Sequence, residues 1–289
     1  MFCGLILSLR PKQWTKNLLL FAGLIFSKNV LVPALLWKAS AAFFLFCLLS
    51  GSVYLINDVA DVESDRNHPL KKDRAIASGR VPIGLAVGAA LIVAAGALGS
   101  AFLLGNKFGM VAAGYFILIL AYSFVLKHVI IMDVLAIALG FVLRAAAGAV
   151  VIAVPISSWL LLCTIFAALF LAMSKRRHEM LLLGDNSTSH RKTLGEYSAQ
   201  LLDQMVPVVT ASTVMSYALY TTSAETVAKF GTNNLVFTVP FVLFGIFRYL
   251  YLVHQKNSGG NPEIVLLTDL PTIVNLVFYA LAVGLILYH

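Results

Sequence analysis

The chain has 289 residues, 60% of them hydrophobic and only 12% charged, with a formal net charge of +8. Its mean hydropathy of +0.90 lies far outside soluble composition and excludes a water-soluble globular fold. The positive balance needs no nucleic acid to explain it; it suits an anionic membrane leaflet and anionic substrates.

Residues 1–9 are a short apolar stretch followed by Arg10, Lys12 and Lys16, with no small-residue cleavage site, so they read as a surface-lying amphipathic lead-in and not as a removable signal. Nine membrane spans are predicted, at roughly 18–36, 39–56, 82–104, 108–126, 129–153, 157–174, 203–222, 235–254 and 270–288. Lys28 and Asn29 interrupt the first, which alternatively forms a shorter helix ending near Ser27. The expected architecture is therefore an all-α polytopic membrane protein, residues 1–289 forming a single integral-membrane domain. With the N-terminus inside, sixteen Lys and Arg residues fall on the cytoplasmic side and four (Lys28, Lys38, Lys107, Lys229) on the other, with Arg144 left inside a span. That asymmetry predicts a multi-pass protein of the inner, cytoplasmic membrane with its N-terminus in the cytoplasm.

The connection after the second span holds the densest charge. It contains Asn57, Asp58, Asp61, Glu63 and Asp65, then Arg66, Lys71, Lys72, Asp73, Arg74 and Arg80. At about 100° per residue on a helix, Asn57, Asp58, Asp61 and Asp65 fall within an arc of about 100°, while Glu63 points away. A polar loop obeying the positive-inside rule accounts for the lysines and arginines, but not for aspartates at helical spacing. Carboxylates so close repel and partly protonate unless a cation lies among them. Hard oxygen donors suit Mg²⁺, which takes one or two carboxylates and completes its shell with water and substrate phosphates. The basic run that follows would hold the remaining phosphate charge. The segment reads as a Mg²⁺–diphosphate site at a membrane surface, with Asn57, Asp58 and Asp61 central. Asp65 either joins the ligands or orients Lys71 or Arg74.

The second long connection opens with Lys175-Arg176-Arg177-His178-Glu179 and runs through Asp185, Arg191 and Lys192 to Tyr197. Lys175 and Glu179 share a helical face. A snorkelling basic cap on a helix end explains any one of these cations; as a group on the same side as the aspartates they suit a multiply phosphorylated substrate. Arg144 lies 11 residues beyond Asp133, about 20° away around the helix and roughly 16 Å deeper. A buried arginine is costly and must face a partner or a polar cavity. At that separation Asp133 and Arg144 each need a partner of their own, and both are expected to line a central cavity open to the cytoplasm, with Lys16 and Asn17 at its mouth. Tyr122 and Tyr197 are further lining candidates, although an aromatic interface belt explains them equally. Cys3, Cys47 and Cys163 have no metal-like spacing, and His68, His128, His178 and His190 no triad or zinc spacing. The chemistry implied needs a cation, positive charge and a good leaving group, and no nucleophile–base pair.

The stretch Asn57-Asp58-x-x-Asp61-x-x-x-Asp65 after the second of nine predicted helices resembles the first signature of the UbiA-type intramembrane prenyltransferase superfamily, and the resemblance extends over essentially the whole chain. The segments Arg10-Pro-Lys-Gln-Trp-Thr-Lys16-Asn17, Asn57 to Pro69, Asp133 to Arg144 and Lys175-Arg176-x-x-Glu179 are similar to its decaprenyl-phosphate phosphoribosyltransferase branch. The resemblance implies a UbiA-like bundle and transfer of 5-phosphoribose from phosphoribosyl pyrophosphate (PRPP) to a polyprenyl phosphate, with release of pyrophosphate. Carried over, Asn57, Asp58, Asp61 and Asp65 would hold Mg²⁺, Lys71, Lys72, Arg74, Lys175 and Arg176 would grip phosphates, and Asp133 and Arg144 would line the pocket. Aromatic prenyltransferases of the superfamily carry a second aspartate motif where this chain has Lys175 to Glu179. That charge reversal favours a donor with an extra phosphate over prenyl transfer to an aromatic acceptor. A transporter of anionic lipid or sugar phosphate is the reading from another class, without the paired broken helices that transporters show. Small-residue runs such as 88–96 and 145–148 serve close helix packing and permit a homo-oligomer.

Overall fold

The structure, a computed structural model, describes residues 2–67, 71–183, 196–256, 265 and 268–288. Asp185, Arg191, Lys192, His68 and His190 lie outside these described residues. All regular structure among the described residues is helical. In chain order it comprises α1 (Phe2–Ser8), a 3₁₀ segment (Pro11–Phe21) running into α2 (Ala22–Ile25), α3 (Pro33–Ala60), α4 (Val62–Arg66), α5 (Ile83–Leu104) and α6 (Asn106–Phe124). There follow α7 (Met132–Val151), α8 (Ser158–Leu183), α9 (Ala199–Thr222), α10 (Ala224–Phe230), α11 (Val239–Gln255) and α12 (Leu270–Tyr288).

Seven helical stretches among the described residues are long and apolar enough to cross a membrane. They match seven of the nine predicted spans, and the protein is a multi-pass membrane protein. Large apolar side chains point outward along them, Leu103 at 90% and Ile92 at 75% exposure, as helices in lipid require. Where the seventh span was expected, α9 is 24 residues long but polar, carrying Asp203, Thr210, Thr213 and an internal Pro207, and it falls outside the seven. The first expected span, 18–36, is not one helix. The chain turns between Ile25 and Pro33, where Lys28 takes φ 60° and Asn29 donates from its side-chain amide to Ser27 Oγ at 2.8 Å. Pro33 then starts α3 in the first turn, where its missing N–H costs nothing. The interruption at Lys28 and Asn29 is thus a true break, and the shorter-helix alternative describes this segment.

Two compact units are formed, one from Met1–Phe124 with Leu143–Ile156, the other from Val125–Val142 with Ser157–His289. In the first, α5 presents Ala86, Ala90, Ala94, Ala97 and Ala101 as a buried stripe, a spacing that lets α3 approach closely. Phe46 of α3 packs its ring 5.8 Å from Phe108 and 5.1 Å from Tyr115. Gly148 of α7 sits against the backbone of Leu20, so close that a Cβ there would overlap the Leu20 carbonyl. This approach sets Asn17, one 3₁₀ turn before Leu20, beside Arg144, one helical turn before Gly148. In the second unit α8 and α9 pack along their lengths, around a core that includes Val134, Ala138, Phe170, Val206, Ile246 and Tyr249.

Gly148→Ala is expected to push the 3₁₀ segment away from α7 at a cost of about 1–3 kcal/mol. Thermal unfolding in detergent should show a lowered transition for Gly148→Ala and an unchanged one for Gly99→Ala, where nothing lies within 4 Å of an added Cβ.

Candidate functional site

Two buried charge clusters, one in each unit, contain most of the side chains singled out from sequence. The first is built where α3 ends. Its helical hydrogen bonds continue nearly unbroken into α4, with Asp61 N–H donating to Asn57 O at 2.9 Å and Asp65 N–H to Asp61 O at 2.8 Å. The shared face of Asn57, Asp58, Asp61 and Asp65 expected from spacing is therefore formed. Asn57 donates to Asp61 Oδ2 at 3.0 Å. Arg74 Nη1 lies 3.0 Å from Asp58 Oδ1 and 2.7 Å from Asp65 Oδ2, bridging carboxylates seven residues apart. Lys71 Nζ is 4.0 Å from Asp65 Oδ1. Arg74 is held there because Ala75, Ile76 and Val81 are buried in a core with Leu55, Val62 and Ala86. A tight turn follows, with Val81 N–H bonded to Ala75 O at 2.9 Å and Gly79 at φ 76°, a conformation that suits glycine.

Arg10 completes this cluster, and sequence reasoning did not assign it a site role. Its guanidinium donates to Asp58 Oδ1 and lies 4.6 Å over the ring of Tyr54. Its backbone is left-handed, φ 52° and ψ 62°, a conformation costing roughly 1–2 kcal/mol for a non-glycine residue and one the following proline further disfavours. The available signal was a cation at the membrane edge next to a proline, within reach of a carboxylate surplus. Lys16, assigned to the same mouth, bonds Gln13 Oε1 at 3.3 Å, and Lys72 is exposed.

Arg144, also in the first unit, is buried at 5% exposure. Its Nε donates to Asn17 Oδ1 at 2.8 Å and its Nη2 to Tyr115 Oη at 2.6 Å. The Asn17 amide in turn reaches Ser50 Oγ at 3.4 Å. Asn17 and Arg144, assigned separately, are thus direct partners, and Tyr115 is a partner the sequence did not reveal. The guanidinium joins the 3₁₀ segment, α6 and α7 inside a packed core.

In the second unit Asp133, fully buried, accepts from Arg176 Nε at 2.8 Å and from Tyr197 Oη at 2.8 Å. Arg176 also reaches Glu179 Oε2 at 2.5 Å, and Lys175 lies 3.9 Å from Glu179 Oε1, the pairing expected from their shared face. The Tyr197 hydroxyl additionally accepts the backbone N–H of Ile131 at 2.9 Å. Ile131 has φ 68°, unusual for a β-branched residue, so Tyr197 stabilises a strained entry into α7. Tyr122 is half-buried near the end of α6. Asp133 and Arg144 each have their own partners, as their separation along α7 requires.

The chemistry these clusters offer is unequal. The first holds hard oxygen donors around one cationic nitrogen, with Arg74 Nη1 marking a point that two carboxylates already serve. A divalent ion has suitable donors there, although no group of three His, Cys, Asp or Glu side chains among the described residues is arranged to hold a metal as they stand. In the second cluster each oxygen of the buried carboxylate already accepts a hydrogen bond.

The chain matches the UbiA prenyltransferase family over residues 18–287 and belongs to it. It is 36% identical over 276 residues to a protein of Corynebacterium glutamicum named decaprenyl-phosphate phosphoribosyltransferase, covering 92% of this chain and 81% of that one. A protein of the same name from Mycobacterium tuberculosis is 34% identical over 270 residues, with 92% and 88% covered. Among solved structures, a UbiA homologue from Archaeoglobus fulgidus bound to GPP and Mg²⁺ superposes with a TM-score of 0.75 at 18% identity, covering 99% of this chain and 100% of that one. The fold is that of UbiA homologues.

Tyr197→Phe leaves Ile131 N–H and one Asp133 oxygen unsatisfied and should cost about 1–3 kcal/mol. Burial, and donation to the Asp133 carboxylate, push the Tyr197 phenol up to about 12. A raised acid favours folding in its neutral form, so the contribution is complete below the ordinary phenol value of about 10 and is lost as pH climbs toward 12. The difference in melting temperature between the native chain and Tyr197→Phe should accordingly be constant at neutral pH and shrink above pH 10.

Proposed function

We propose that this protein transfers 5-phosphoribose from PRPP to a polyprenyl phosphate of decaprenyl type, releasing pyrophosphate at the cytoplasmic face of the inner membrane. The observation that carries this reading is the 34–36% identity, over 92% of the chain, to proteins named for that transfer. Lys175-Arg176-Arg177, expected in a connection and found within α8, support it, since a donor bearing a 5-phosphate besides its diphosphate needs cations beyond one metal site. The whole chain acts as one transferase domain, with its N-terminus cytoplasmic and its central cavity open to that side.

Asn57, Asp58, Asp61 and Asp65 would hold Mg²⁺, which when bound offsets charge on the departing diphosphate. Lys71 and Lys72 of the connection after α4 and Lys175 of α8, half-buried or exposed cations, take phosphate oxygens. Arg74 contributes to the same charge. Arg176 and Arg144 act one layer back: Arg176 fixes Asp133 and Glu179, and Arg144 fixes Asn17 and with it the segment carrying Lys16. A lipid phosphate oxygen attacks the anomeric carbon of the ribose as the bond from that carbon to pyrophosphate oxygen breaks. The nucleophile is already ionised at neutral pH, so no base is required and none of the histidines is used. The bilayer admits the polyprenyl tail laterally between helices while the charged groups stay at the surface.

The test is an assay of the purified chain in micelles with Mg²⁺, labelled PRPP and a polyprenyl phosphate, following label into the organic phase. Label should appear there, vanish on chelation, and fall at least about a hundredfold in Asp61→Asn without a change in melting temperature beyond a few degrees. A parallel reaction offers a prenyl diphosphate with an aromatic acid. Prenylated product there with no lipid-linked label would overturn the phosphoribosyl reading in favour of the prenyl-transfer one.

A further inference from the structure

Among the described residues the aspartate face is met by an equal number of cations before any ligand arrives. Asp58, Asp61 and Asp65 carry three negative charges. Arg10 and Arg74 on Asp58, Arg74 on Asp65, and Lys71 near Asp65 bring three positive ones. Arg74 Nη1 lies within hydrogen-bond distance of both Asp58 and Asp65, whose oxygens would be among those that hold a metal ion. A bare divalent cation entering this group meets no net negative charge and must dislodge a guanidinium that is held at 2.7 Å. An anion entering alone meets guanidiniums already committed to carboxylates. A cation and a diphosphate arriving together remove both obstacles, because the carboxylates pass to the metal and the freed guanidiniums to the phosphate oxygens.

We infer that Arg10 and Arg74 are resident counter-ions of the aspartate face, which keep metal alone from binding tightly and make metal and diphosphate bind as a coupled pair. This rests on the metal-site reading proposed above and deepens it. Arg10 is built for such an exchange. It approaches from the N-terminal segment in a strained backbone conformation, and while paired with Asp58 its guanidinium also lies over the ring of Tyr54, a contact that does not depend on the carboxylate. At 22% and 28% side-chain exposure, Arg10 and Arg74 are not sealed in, unlike the Arg176–Asp133 pair at 4% and 0%. The coupling is reciprocal: whatever factor diphosphate adds to metal affinity, metal adds to diphosphate affinity.

The experiment measures Mn²⁺ binding by electron paramagnetic resonance to the full chain in micelles, with and without inorganic pyrophosphate. The comparison covers the native chain, Arg74→Gln, Arg10→Gln, Arg74→Lys and Asp61→Asn. The native chain should bind Mn²⁺ at least about tenfold more tightly with pyrophosphate than without. Arg74→Gln and Arg10→Gln should bind Mn²⁺ alone at least about tenfold more tightly than the native chain, since a cation now meets net negative charge, while Arg74→Lys stays near the native value. A merely structural arginine gives the opposite sign, because its loss loosens the site. Melting curves give a second readout: Mn²⁺ alone should raise the transition of both glutamine variants more than that of the native chain. If the glutamine variants bind Mn²⁺ alone no better than the native chain, while pyrophosphate-dependent binding is present and lost in Asp61→Asn, the counter-ion role is overturned and the metal site stands. If Asp61→Asn binds as the native chain does, or no protein binds Mn²⁺, the metal reading falls and the inference with it.

Discussion

Each charge carried into the helix packing of this protein is met by a specific partner, and those partnerships decide where the helices can sit. Ionised groups are costly among apolar helices unless compensated at short range. Arg144 is compensated by Asn17 and Tyr115, which forces the 3₁₀ segment against α7 and makes Gly148 the closest point of approach. Asp133 is compensated by Arg176 and Tyr197, which binds α8 and the segment before α9 to the start of α7. Asp58 and Asp65 are compensated by Arg74 and Arg10, which draws the residue 71–81 connection and the N-terminal segment over the end of α3. Packing of small and aromatic side chains fills the space between these joints, but the joints select the register.

Much of this was legible from residue spacing, and the parts that were not share a cause. Periodicity is a property of one helix, so the shared face of Asn57, Asp58, Asp61 and Asp65 and the Lys175–Glu179 pair emerged directly from it, and the long apolar runs marked the membrane helices. Partners from distant segments are invisible to periodicity. Asn17 and Arg144 are 127 residues apart and Tyr197 and Asp133 are 64 apart, so each was singled out without its counterpart. Arg10 was passed over because it looked like one more positive-inside cation; its value comes from reaching Asp58, 48 residues on. The first predicted span failed for a different reason. Hydropathy averages over a window, so the apolar run bounded the span at 18–36, while Lys28 and Asn29 inside it marked the break that the shorter-helix alternative described.

The cations also divide into two kinds that sequence treats alike. Arg144 and Arg176 sit at 5% and 3% exposure with several short hydrogen bonds each. Withdrawing either would strand a buried polar partner, which costs more than the pair contributes. Such arginines join segments of the packed interior. Lys72, Lys175 and Lys71 are more accessible and carry ammonium groups on flexible stems, at little cost to hold and little cost to move. The same division separates the two carboxylate groups, for Asp133 is fully buried with a donor on each oxygen.

That contrast gives a physical criterion for telling a structural charge cluster from an exchangeable one within a membrane protein. In both, the charges balance, because neither could persist otherwise. They differ in whether the compensating cation has somewhere else to go. Arg176 is enclosed between Asp133 and Glu179 on its own helix. Arg10 is partly exposed and also lies over the ring of Tyr54, and Arg74 rides on a connection whose own anchor, the buried Ala75-Ile76-Ala77 run, is independent of the carboxylates it bridges. A cation anchored elsewhere can release its carboxylate without unfolding the site. The aspartate face, alone of the two clusters, has its arginines partly open to solvent, whereas Arg176 and Asp133 are enclosed.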